Sequence, residues 1–78
     1  MFLISSTSTE ILLLLHGDKV ASIQKDDVED FETSAFEDLG LIHFITKSEK
    51  RVQFAIPEGA DFDNALVKLI EITDLMGI

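Results

Sequence analysis

Residues 11–15 read Ile-Leu-Leu-Leu-Leu, and Gly17 and Asp18 separate this run from a second apolar run at 20–23. Aliphatic runs of four to eight residues are strand-sized, and a Gly-X pair between two of them marks a β-hairpin with a type II′ turn. The expected register places His16 opposite Lys19, Leu15 opposite Val20, Leu14 opposite Ala21, Leu12 opposite Ile23 and Glu10 opposite Lys25. Opposite charges then close the open end. Residues 2–5 are expected to add an edge strand, with the polar stretch 6–9 as the connection.

Whatever surrounds this hairpin must be held by packing alone, because the 78-residue chain has no cysteine. Disulfides, thiolate metal sites and cysteine nucleophiles are thereby excluded. At this length one domain, residues 1–78, is the limit, since two cores would each be too small to offset chain entropy. The hydrophobic content of 46%, with six phenylalanines, is too high for a disordered segment. No basic start precedes the apolar N-terminal stretch and Glu10 interrupts it, so neither a signal peptide nor a membrane span is expected, and a cytoplasmic protein is.

Residues 26–39 predict a helix, because Val28, Phe31, Ala35 and Leu39 fall on one face at 100° per residue and Gly40 supplies a stop. A second hairpin is expected over 41–57, with a four-residue loop at 47–50. That register pairs Ile45 with Val52, His43 with Phe54 and Leu41 with Ile56, and makes them the core face. After Pro57 and Gly59, Asp61 is the expected N-cap of a last helix reaching Met76. Its stripe is Phe62, Leu66, Leu69, Ile70, Thr73 and Met76, with Gly77 as the C-terminal cap. The sum is an α+β two-layer sandwich: a four- or five-stranded antiparallel sheet carrying two helices on one face, in the order (β)ββαββα.

Charge gives the main functional lead. Fifteen acidic residues against six basic ones give a net charge of -9, which repels phosphate backbones, so direct nucleic-acid binding is disfavoured. Seven of the thirteen positions from 26 to 38 are acidic and none is basic. On a helix this row would form one anionic ridge with carboxylates roughly 6 Å apart, comparable to phosphate spacing. The expectation is a small non-catalytic binding protein, its contacts made by Asp26, Asp27, Glu29, Asp30, Glu37 and Asp38. Its partner would be a basic protein surface, such as that of a nucleic-acid-binding protein, engaged in the manner of virus-encoded nucleic-acid-mimicking inhibitors.

The alternative is a structural or assembly subunit that forms a homodimer. It rests on strands apolar on both faces, with Ile11, Leu13, Leu15, Ile42 and Phe44 as the self-association set. No metal or cofactor is expected: the two histidines have no ligand spacing, neither acidic stretch matches a calcium loop, and all four glycines stand at element boundaries.

Overall fold

The computed structural model describes residues 1–78. Strands β1 (Phe2–Ser6), β2 (Glu10–Leu15) and β3 (Asp18–Gln24) form one antiparallel meander. A single 3-10 turn (Lys25–Asp27) leads into a second meander of β4 (Val28–Phe36), β5 (Leu39–Thr46) and β6 (Val52–Pro57). Helix α1 (Ala60–Met76) ends the fold and packs on β1 and β6. The turn is tied to both sheets: the Lys25 N–H donates to the Thr9 carbonyl and the Lys47 N–H to the Asp27 carbonyl, each at 2.8 Å.

Twelve apolar residues make one core: Ile4, Ile11, Leu13 and Ile23 from the first sheet, Val28, Ile42, Phe44, Phe54 and Ile56 from the second, and Ala65, Leu69 and Ile72 from α1. Phe44 and Phe54 meet edge to face, with ring centroids 4.9 Å apart, a favoured geometry for aromatic quadrupoles. The buried Thr73 hydroxyl donates back to the Leu69 carbonyl at 3.0 Å, so it enters the core satisfied.

The sandwich of one sheet and two helices is therefore incorrect: there are two three-stranded sheets and one helix. The error lies at 26–39, where the structure has the 3-10 turn, β4 and a two-residue turn. A β-bulge between Val28 and Asp30 inserts one residue, so Val28 and Phe31, three apart, both turn towards the core. Alternation then puts Phe31 and Ala35, four apart, on one face. A bulge followed by a period of two has thus produced the 3-then-4 spacing of a helix. The hairpin turn at Glu37-Asp38 carries no glycine, although Glu37 sits at φ 56°.

Both hairpins form with registers other than those expected. His16 and Gly17 both have positive φ, 51° and 86°, so they are the turn pair, of type I′, and Leu15 faces Asp18. A bulge leaves Val20 unpaired and 52% exposed, after which Leu13 faces Ala21, Leu12 faces Ser22 and Ile11 faces Ile23. In the second hairpin the loop has five residues, tightened by the Thr46 hydroxyl donating to the Lys50 carbonyl at 2.9 Å. Phe44 consequently faces Val52 and Ile42 faces Phe54, which turns Leu41, His43 and Ile45 away from the core. The leading strand does form, paired with β2 in its own sheet.

Helix α1 starts at Ala60, so Asp61 is not its N-cap; its Oδ2 instead accepts the Phe2 N–H at 3.3 Å and pins β1 to the first helical turn. Its buried stripe runs through Ala65, Leu69, Ile72 and Thr73, rotated from the expected one, and Ile70 is exposed. Gly77 ends it in the left-handed region at φ 81°, and the Ile78 N–H bonds the Thr73 carbonyl at 3.0 Å.

Candidate functional site

Strand β4 is nine residues long and pairs only with β5, so one whole edge of its backbone faces outward. Two observations identify which groups lie on that edge. The Phe31 N–H is bonded by the Asp30 Oδ1 at 2.8 Å rather than by β5, and the Glu58 N–H donates to the Asp38 carbonyl at 2.9 Å, which assigns the even residues of β5 to β6. Antiparallel ladders alternate, so the odd residues of β5 bond β4, and Phe31, Thr33 and Ala35 present their N–H and C=O groups to the outside. Asp30 occupies the first of these donors. Thr33 and Ala35 have no such guard.

Side chains divide along the same alternation. Asp30, Glu32, Ser34 and Phe36 project on the outer face, opposite Ile45, His43, Leu41 and Leu39. Gln53, Ala55 and Pro57 extend these rows onto β6. The Ser34 hydroxyl lies 3.3 Å from His43 Nε2. Phe36 is 61% exposed, the strongest apolar feature at this end of the sheet. From Glu29 to Phe36 every residue except the half-buried Phe31 is exposed.

The six acids expected to form a helical ridge are exposed or half-buried, but no helix aligns them. Asp26 and Asp27 lie in the 3-10 turn, Glu29 and Asp30 at the start of β4, and Glu37 and Asp38 in the turn at its far end. At roughly 3.3 Å per strand residue, Asp30 and Glu37 are about 23 Å apart, and the phosphate-like spacing is lost. Asp27 is engaged locally: it accepts the Ser48 hydroxyl and the Ser48 N–H, the latter at 2.9 Å. The Ser48 hydroxyl, then the Ser48 amide and the charges of Lys50 and Lys47, hold its pKa below the usual carboxylate value against the opposing effect of desolvation. An open groove of about 380 Å³ beside it includes Ser22, Gln24, Ser48 and Lys50 in its lining, with neither a histidine nor a second carboxylate.

The self-association set is also misplaced. Ile11, Leu13, Ile42 and Phe44 are core residues and Leu15 is half-buried, because the true registers turn these side chains inward. The large apolar side chains that are exposed on the sheets are Leu3, Val20, Phe36 and Ile45. The residues overlooked in the sequence are Thr33 and Ala35, whose backbone rather than side-chain chemistry makes the edge. Glu32 is an exposed outer-face strand residue opposite His43.

Nowhere do three histidine, aspartate or glutamate side chains converge as a metal site would require. No helix is long and apolar enough to cross a membrane. No protein-family model, curated protein or solved structure matches the chain.

Proposed function

We propose that this protein is a binding module that takes up a basic, extended segment of a partner protein as an additional strand along β4. The carrying observation is the open edge at Thr33 and Ala35, bordered by Asp30 and Glu32 on its own strand and by Glu37 and Asp38 at the turn. Main-chain hydrogen bonds to such an edge supply affinity irrespective of sequence, and flanking charge selects the partner. The reading keeps a cytoplasmic setting and a basic protein partner, and replaces the anionic ridge by a strand edge.

A second copy of the chain fits the same edge poorly. A two-fold antiparallel β4–β4 pair must set odd residues opposite odd residues to bond the open groups. Centred on Glu32, such a pair opposes Glu32 to Glu32, and like charges directly opposite are destabilising; centred on Thr33 or Ser34 it meets like charges only at its ends, where Glu29 in the bulge approaches Glu37, or Asp30 approaches Asp38 in the turn. The acids thus guard the edge against its own kind, a common device on exposed strands, while attracting lysine and arginine.

The test is titration of the ¹⁵N-labelled full chain with a capped peptide of alternating threonine and lysine. Binding is expected to shift the β4 amides and to slow hydrogen exchange at Thr33 and Ala35. Thr33→Pro and Ala35→Pro remove only outward donors and are expected to abolish it with the spectrum still folded. Absence of binding, or binding indifferent to both prolines, refutes strand addition.

A further inference from the structure

The edge has a frame as well as a charge. Its straight run is bounded by the bulge after Val28 and by the turn at Glu37, leaving the seven residues from Asp30 to Phe36. Along that run both outer-face acids, Asp30 and Glu32, lie at one end and the exposed phenylalanine at the other, with neutral Ser34 between. A docked strand places its alternate side chains beside these four, about 4.5–5.5 Å away. The open bonding positions, Phe31, Thr33 and Ala35, are out of phase with them.

We infer that β4 reads a seven-residue antiparallel segment with an apolar residue at its first position, beside Phe36, and basic residues at its fifth and seventh, beside Glu32 and Asp30. The inference rests on strand addition at β4 and adds the spacing and direction of the ligand. Antiparallel pairing is favoured because its hydrogen bonds run straight across the strands. The first, fifth and seventh positions share one face, so all three side chains meet their counterparts at once. Asp30 has a double part in this frame: in the free protein its carboxylate covers the Phe31 amide, and on docking it moves to the basic side chain and uncovers that donor.

Three capped peptides of identical composition and charge test the frame on the full chain. Val-Thr-Ser-Thr-Lys-Thr-Lys carries the motif in phase, Lys-Thr-Lys-Thr-Ser-Thr-Val reverses it, and Val-Thr-Ser-Thr-Thr-Lys-Lys puts the lysines on opposite faces. The in-phase peptide is expected to bind about tenfold more tightly than either, from two opposite-charge pairs and one apolar pair. Glu32→Lys and Phe36→Glu, both at exposed positions, are expected to erase that preference without altering the fold. Equal affinity for the three peptides overturns the frame while leaving strand addition standing, and preference for the reversed peptide overturns the direction. Binding of all three that ignores Thr33→Pro and Ala35→Pro overturns strand addition itself.

Discussion

Replacing Gly40 by alanine is expected to destabilise the protein, although glycine inside a strand is ordinarily the poorer residue. Its φ is not positive, so alanine meets no backbone strain, and in open space the change would stabilise by about 0.5–1 kcal/mol. The space is not open. A Cβ at Gly40 would lie 2.6 Å from Cε1 and Cγ of Phe62, closer than carbon atoms approach. The ring lies against the β5 backbone at Gly40, where α1 begins, so it must either push the helix outward or swing into water. Overpacking costs about 1–3 kcal/mol, and losing the burial of the half-buried ring costs a similar amount, so a net loss of about 1–2 kcal/mol is expected. For a chain of this length that lowers the melting temperature by roughly 6–12 °C.

Thermal and urea unfolding followed by circular dichroism measure the effect, and a double-mutant cycle identifies its cause. Phe62→Ala alone is destabilising. In its background Gly40→Ala becomes neutral or stabilising, because the obstructing atoms are gone. A stable Gly40→Ala single variant, or one whose cost is unchanged without the ring, would contradict the close approach of α1 to β5.

Three other expectations follow from the fold. Glu37→Gly relieves a left-handed residue at the β4–β5 turn and is expected to stabilise by about 1 kcal/mol in urea unfolding; a loss would show that the glutamate side chain has an unrecognised role there. Ile42→Ala is expected to cost about 2–5 kcal/mol and Ile45→Ala less than about 1 kcal/mol, since the first is fully buried and the second 39% exposed; the reverse order would restore the register read from the sequence. Because the Asp27 pKa is lowered on folding, its contribution is present above the ordinary carboxylate value, about pH 4, and disappears as the pH falls through the folded value. The stability gap between the wild type and Asp27→Asn therefore narrows on acidification in urea unfolding series, and a gap independent of pH would exclude the Ser48 contacts as its source.

The parts of this fold legible in the sequence are those with an unambiguous local cause. Helix α1 has a long apolar period and a terminal glycine, and Gly17 marks a hairpin whatever its register. The register escaped because His16, not Asp18, shares the turn with Gly17, and the bulge at Val20 has no composition of its own. Residues 26–39 were misread because the bulge after Val28 lends β4 a helical spacing, while the Glu37-Asp38 turn lacks the glycine that usually announces one. As to the candidate site, the exposure of the acids was readable from their charge. Thr33 and Ala35 matter through amides that only the pairing of β4 with β5 leaves free, and no residue type signals that.

Every strand pair in the molecule joins neighbours in sequence, whereas β1 finds its cover on α1, which begins only at residue 60. At ribosomal rates of about 5–20 residues per second, the roughly 45 residues from the end of β2 to the start of α1 take about 2–9 seconds, during which the β1–β2 pair has its helix-facing side wet. The Phe2–Asp61 hydrogen bond can close only after that interval. During translation β1 thus stays without the helix that finally covers it until α1 has been made.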